Sequence, residues 1–310
     1  MGTKNSTEIA GANDPSKDVS ANAWNEDHIT DNSVLSTPPA NKFYWYAKKI
    51  AGFIFPTFID ENAKSYSVQP HAMSKPYSYV FAVHPNSINL QSLNSGDITR
   101  LGNIEFDTIS STSNVFKSLQ RQQISSTTTS TSAVCGYRDD PHSCLTRGSV
   151  SGVGGFIFSL KWGQGVGASN ATKRAFAGLL LSNAAPTDVN PSTLTDMVGM
   201  GWDSADTNVQ IMHNDNTGTA TKIDLGSGFP KPTANYTNFY QLRLSCLPNA
   251  SSIEYEAINC VTGASVSGSL TTNLPTNSSA LMRHMYASVG GTSAQAGIVL
   301  FEMIHSQYNA

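Results

Sequence analysis

Charge is scarce in this sequence. Asp, Glu, Lys and Arg make up 13% of its 310 residues, about half of the roughly 25% usual in soluble domains. That shortage disfavours helical bundles, whose outer faces need Lys, Glu and Arg, and suits strands whose outer faces carry Ser and Thr. No Lys/Arg run or basic stripe occurs and the formal net charge is -3, so no nucleic-acid partner is expected. The most apolar stretch, Phe43 to Ile59, is too short to cross a bilayer and is interrupted by Lys48 and Lys49, so no membrane insertion is expected. No internal repeat is visible, which argues against a parallel β-helix. Cysteine is limited to Cys135, Cys144, Cys246 and Cys260, without the spacing of a zinc site. No metal and no cofactor is expected. Met1 to Pro15 is polar, with no secretory signal, so the chain is expected to mature in a reducing cytoplasm with free thiols. Cys246 and Cys260 fall on what read as adjacent strands, which leaves their pairing open.

What is present is strand pattern. Val209, Ile211 and His213 alternate with Gln210, Met212 and Asn214, and Thr221, Ile223 and Leu225 alternate with Lys222 and Asp224. This is the period of half-buried strands. The joint between them, Asp215-Asn216-Thr217-Gly218, holds residue types that tolerate left-handed backbone, so a hairpin is expected. The same alternation runs through Phe156, Phe158, Leu160 and Trp162, with Gly152, Gly154 and Gly155 before it as turn and bulge glycines. It runs again through Tyr240 to Cys246, Ile253 to Glu256 and Val266 to Leu270. Ala175 to Leu181 reads as a buried strand. Ile298 to Ile304 is apolar on both faces and belongs in the centre of a sheet or at an interface. Helix is confined to a short start at Pro191 to Val198. Short strands at this spacing predict an all-β chain whose distal part, residues 76–310, is an antiparallel β-sandwich of jelly-roll type.

Two segments precede it. Residues 1–40 are rich in Ser, Asn, Asp and Pro and lack the apolar content to fold alone. Trp24 in that polar setting needs cover from a partner. Residues 41–75 carry the apolar cluster Phe43, Tyr44, Trp45, Ile50, Phe53 and Phe55, expected to pack against protein, in this chain or in a neighbouring copy.

The densest polar cluster is Cys135 to Cys144. Asp139 and Asp140 are adjacent, which neither secures nor excludes the carboxylate separation of a glycosidase. His142 with Cys144 names no third, orienting group for a nucleophile. The chain is therefore not expected to be an enzyme. As a recognition surface the cluster is richer. Tyr137 can stack on a sugar face, and Arg138, Asp139 and His142 can read hydroxyls. Trp202, with Asp203 and Asp206, forms a second set.

Two blocks resemble tail-fibre proteins of tailed bacteriophages and prophages. One is IMHNDNTGTATKIDLGSGFP, from Ile211 to Pro230. The other is D-P-S-K-x-V-x-A-x-x-W-N-x-x-H, from Asp14 to His28. Ile50-Ala51-Gly52, followed by Ser67-Val68-Gln69-Pro70-His71, is similar to the neck of that family, although the aromatic cluster before it departs from the pattern. The resemblance implies a virion component and a homotrimer. Trp24, Asn25 and His28 would lie in a segment attaching to other tail or baseplate proteins, the neck would mediate trimerisation, and the distal sandwich would bind a host-surface receptor of saccharide type. Alternatives are a tail-associated glycan hydrolase or esterase, and a purely structural head or tail fibre.

Overall fold

The computed structural model describes residues 44–50, 53–59, 65–67, 79–83, 98–106, 109–110, 113–139, 144–149 and 153–309. The attachment candidates Trp24, Asn25 and His28, and Phe43 of the neck, lie outside these residues. The chain divides into two compact units, Met1–Met73 and Ser74–Ala310. In the first, the apolar stretch forms strands. β1 (Tyr44–Ile50) pairs antiparallel with β2 (Phe53–Ile59), Tyr44 opposite Ile59 and Ile50 opposite Phe53, and β2 pairs with β3 (Ser65–Ser67).

The second unit is a sandwich of two antiparallel sheets with almost no helix. The first sheet runs in the order β17 (Ser265–Leu270), β16 (Ile253–Asn259), β15 (Phe239–Cys246), β10 (Val153–Gly163), β19 (Gly297–Asn309), β7 (Gln122–Ser125) and β6 (Asn103–Phe106); β4 (Tyr79–Val83) also pairs with β19. The second runs β14 (Thr221–Asp224), β13 (Gln210–Asn214), β12 (Met197–Trp202), β11 (Arg174–Leu180), β18 (Leu281–Ser288), β8 (Val134–Asp139) and β5 (Ile98–Leu101), with β9 (Cys144–Leu145) on β18. The jelly-roll-like sandwich expected from the spacing is the fold observed.

The alternation in β10 drives Phe156, Phe158, Leu160 and Trp162 into the space between the sheets, where each is fully buried. Gly154 and Gly155 act as expected, and Gly152 lies outside the described residues. Pairing with β19 shifts register between Val153 and Phe156, and Gly154 and Gly155 both sit at φ +83°, a left-handed bulge that a side chain would strain. Trp162 meets Trp202 of β12 face to face, ring centroids 5.2 Å apart at 14°, so the two sheets are joined by stacked indoles.

β19 is central, as its two apolar faces require. Ile298, Leu300 and Met303 enter the main core, while Val299 and Phe301 pack with Phe116 and Phe239 on the opposite face. Phe116 comes from a single helical turn, α1 (Val115–Ser118), which Asn114 caps; its brevity left no sequence period to read.

The hairpin forms, with His213 opposite Thr221, Gln210 opposite Asp224 and Gly218 at φ +66°. It departs from expectation in one respect: β13 is buried on both faces, not half-buried. Val209 and Ile211 face the main core, whereas Met212 joins Phe176, Leu180, Met197 and Tyr286 in a second cluster on the outer face of the second sheet. The cover is the connection between β11 and β12, residues 181–196. Leu181 N donates to Asp196 O at the base of this strap, Asn214 Nδ2 holds Leu194 O at 2.9 Å, and Tyr286 Oη reaches Val189 O. The only regular turn in it is the short 3-10 segment Pro191–Thr193, where a helix start was expected.

All four cysteines are free. Cys246 and Cys260 do lie on or beside neighbouring strands but at opposite ends, since Tyr240 registers on Asn259 and Ser245 on Glu254. Several residues of strand rise separate them, on the order of 20 Å, so no pairing occurs.

Truncating the inter-sheet stack tests its weight. Trp202→Ala is expected to lower the unfolding free energy by roughly 3–5 kcal/mol in urea or guanidinium titration, and a loss below about 1 kcal/mol would mean that the stack is not a principal sheet-to-sheet contact.

Candidate functional site

The residues singled out from sequence separate into three groups. Tyr137 and Asp139 share the inward face of β8 and are each 1% exposed. Tyr137 Oη donates to Asp139 Oδ1 at 2.7 Å, and Arg283 Nε of β18 donates to Asp139 Oδ2. Burial raises the Asp139 carboxyl from its ordinary value while the Arg283 guanidinium opposes it, and burial raises the Tyr137 hydroxyl well above its usual range. These groups form a polar knot between the sheets and offer no receptor surface. Trp202 is likewise an interior residue, stacked on Trp162. Its two acidic companions bind Lys222 Nζ, at 2.9 Å for Asp203 Oδ2 and 2.7 Å for Asp206 Oδ2. Burial works against the Lys222 charge, but the Asp206 and Asp203 carboxylates raise its pKa overall. The expected contact roles of Tyr137, Asp139 and Trp202 are thus corrected by burial. His142 lies outside the described residues.

Arg138 is different. It follows Tyr137 on β8 and therefore points to the other face, the outer side of the second sheet, where it is half-buried. Its register partner His284 is 2% exposed, packs edge-on against Tyr286, and is pushed down to about 4 by burial and then by the Arg138 charge. Among the described residues Arg138 makes no side-chain hydrogen bond or ion pair.

Arg138 lines a hollow of about 220 Å³ with Arg100, Gly136, Ala185 and Pro186; Tyr137 also borders it, although only 1% of that residue is exposed. Gly136 keeps this hollow narrow: a Cβ there would stand 3.2 Å from Pro186 Cγ and 2.6 Å from Met285 O. The hollow shares Leu101 and Pro186 with a second, open one of about 480 Å³. The pair forms a groove along β5 and β8, bounded by the strap. The wall of the larger hollow comes from the turn between β7 and β8, where Ser125 to Ser132 reads SSTTTSTS. Thr127, Thr128 and Ser132 are exposed, and neither their hydroxyls nor that of Thr187 on the strap has a hydrogen-bond partner among the described residues. Ser126 is used internally, its Oγ donating to Thr128 O and accepting from Ala296 N. Leu101, 38% exposed, and Pro186 supply an apolar shelf at the junction.

The strap edge is fixed by Asp188. Its Oδ1 accepts from Arg174 Nη1 at 2.9 Å and Gly290 N at 2.8 Å, and Oδ2 accepts from Gly291 N at 3.1 Å. The groove is therefore preorganised on one side by an ion-paired carboxylate. Sequence reasoning found Arg138 but missed the Ser/Thr run, whose eight consecutive hydroxyl residues were the available signal. Among the described residues no three His, Cys, Asp or Glu side chains are placed to share a metal ion, and no helix is long and apolar enough to cross a membrane.

No family model and no curated protein matches the chain. Among solved structures it is similar to a protein of unknown function from Shewanella oneidensis MR-1, at TM-score 0.48 and 13% identity over 75% of this chain and 87% of that one. It is also similar to peanut lectin, at TM-score 0.46 and 10% identity over 75% and 98%. A third is Ulex europaeus lectin UEA-II in complex with galactose, at TM-score 0.47 and 11% identity over 75% and 99%. At these values none assigns a family or a ligand.

His284 gives the site a pH signature. Its folded value lies below the ordinary 6.5, so the unfolded chain takes up the extra proton first. Its contribution to stability is complete above pH 6.5 and is lost as pH falls towards about 4, on the order of 3 kcal/mol. In His284→Gln the slope of stability against pH between 6.5 and 4 should be shallower than in the parent chain; equal slopes would show that the imidazole is not held neutral.

Proposed function

We propose that this chain is a homotrimeric tail-fibre subunit of a tailed bacteriophage or prophage, and that its sandwich takes a host-surface saccharide in the groove along β5 and β8. The observation that carries the binding reading is the groove itself. Thr and Ser hydroxyls without a hydrogen-bond partner among the described residues line the larger hollow, of about 480 Å³, together with Leu101 and Pro186, which also line the smaller one of about 220 Å³. Ligand sites usually span roughly 300–1,000 Å³ and join apolar surface to a few convergent polar groups. A sugar ring presents the same division, with an apolar face of C–H groups and a rim of hydroxyls. Each hydroxyl contact is worth only about 0.5–1.5 kcal/mol net, so a single groove binds weakly. Three copies on one axis raise that to useful avidity when the receptor is repetitive.

The fibre and trimer part of the reading rests on the two sequence blocks. In the fold the Ile211 block becomes the β13–β14 hairpin at the edge of the second sheet, held by Asn273, whose Oδ1 accepts from Asp215 N and whose Nδ2 donates to Thr221 Oγ1. The apolar residues from Phe43 to Ile59 would each sacrifice about 1.5–3 kcal/mol if left in water, which is the reason to place them around a three-fold axis or against the virion.

Two measurements test the proposal. Purified chain should sediment as a trimer, and a stable monomer with residues 43–59 intact would sink that part. Thr128→Val combined with Thr187→Val should weaken binding to host envelope glycans, and adsorption of particles carrying it, by about tenfold or more without lowering the melting temperature. Unchanged adsorption would remove the groove from the receptor site, and release of sugar fragments by the parent protein would replace the binding reading with a hydrolytic one.

A further inference from the structure

Taking the groove as the saccharide site, we infer that the saccharide it takes is acidic, with its anionic substituent, a carboxylate or a phosphate, held by Arg138 and its neutral ring lying along the Ser/Thr wall.

The inference starts from how this chain uses its few charges. Arg147 donates to Pro275 O and Ala250 O, Arg174 pairs with Asp188, Arg243 with Glu256 and Arg283 with Asp139. Arg138 has no such partner among the described residues, although Asp139 is its neighbour in sequence. Strand alternation sends that carboxylate to the opposite face, where Arg283 and Tyr137 occupy it. The titratable group beside Arg138 on the outer face, His284, is held neutral by burial, and the other charged residue lining the smaller hollow, Arg100, is also a cation, so the fixed charge of that hollow is positive. The Arg138 fork of N–H donors matches a planar carboxylate or a phosphate, and half-burial makes such a contact stronger than one in open water. The acid that lines the larger hollow, Asp188, is neutralised by Arg174 at 2.9 Å and by two backbone N–H groups, so it does not repel an anionic ligand. Leu101 and Pro186 belong to both hollows, so the hydroxyl wall and the charge adjoin the same apolar shelf.

A panel of bacterial capsular and lipopolysaccharide oligosaccharides, neutral, uronate-bearing and phosphate-bearing, tests the inference with the purified full chain. Binding concentrated on anionic members supports it; competition by free glucuronate against glucose 1-phosphate then separates carboxylate from phosphate. Arg138→Gln should reduce affinity for the best anionic member by about tenfold or more and leave its carboxyl-reduced or dephosphorylated counterpart unaffected. Arg138→Lys should recover part of the loss. Both variants replace a side chain that makes no hydrogen bond or ion pair among the described residues and should melt with the parent. Binding confined to neutral members, or Arg138→Gln equal to the parent on anionic ones, overturns the acidic assignment while the groove stands. No binding to any member of the panel overturns both readings.

Discussion

The second sheet is apolar on both faces, and the rest of the distal unit is arranged around that constraint. Phe176, Leu180, Met197, Met212 and Tyr286 point away from the sandwich core yet are all at most 3% exposed. Left in water, each such side chain would cost about 1.5–3 kcal/mol. A sandwich with two solvated outer faces is therefore closed to this sequence. Residues 181–196 supply the missing layer. They are held at several points instead of by one: Leu181 to Asp196 at the base, Asp188 to Arg174 and the Gly290–Gly291 turn, and Asn190 and Ser192 to Ser204 and Asp203. The groove lies where this cover meets the β5 and β8 edge, with Pro186 of the strap forming part of both hollows. The candidate site is thus a consequence of the covering layer and not a separate construction.

Much of this architecture was legible because strands repeat every two residues. The inward set of β10 and the β13–β14 hairpin follow from alternation, the central position of β19 from its lack of it, and the bulge at Gly154–Gly155 from the glycines themselves. The strap was not legible, because burial of its partner face depends on a connection with no period of its own. Without the strap, the alternation in β13 implies a half-buried strand. The misplacement of Tyr137, Asp139 and Trp202 has a different origin. Their side-chain chemistry, aromatic or charged, suits contact. Parity gave the opposite answer: Cys135, Tyr137 and Asp139 fall on one face of V-C-G-Y-R-D, and Val198, Met200 and Trp202 on one face of M-V-G-M-G-W. In each set the smaller or apolar members mark the inward side, and the remaining residue goes with them. The same parity separates Arg138 from its neighbours.

Low charge content gives each charged group unusual leverage. Lys222 draws Asp203 and Asp206 together, Lys231 Nζ donates to the carbonyls of Ala171, Asp203 and Ser204, and Arg147 ties the segments at Pro275 and Ala250. Apart from Lys222, which lies on β14, these are contacts between loops, and most join stretches far apart in sequence. Burial pushes the Lys231 ammonium down to about 8, the mark of a cation placed for its hydrogen bonds and not for solubility. The buried Arg283–Asp139 pair follows the same logic. Such a pair adds little net stability over an apolar replacement, yet loss of one partner leaves a stranded charge at a cost of about 3–5 kcal/mol. It joins β8 to β18 on the inward face, alongside Cys135 and Tyr137, in the register that directs Arg138 outward. A one-residue slip would exchange Arg138 with Asp139 across the sheet, placing a carboxylate in the groove and a guanidinium in the core. The register that places Asp139 against Arg283 inside is the one that presents Arg138 outside, which links the core to the chemistry the groove can recognise.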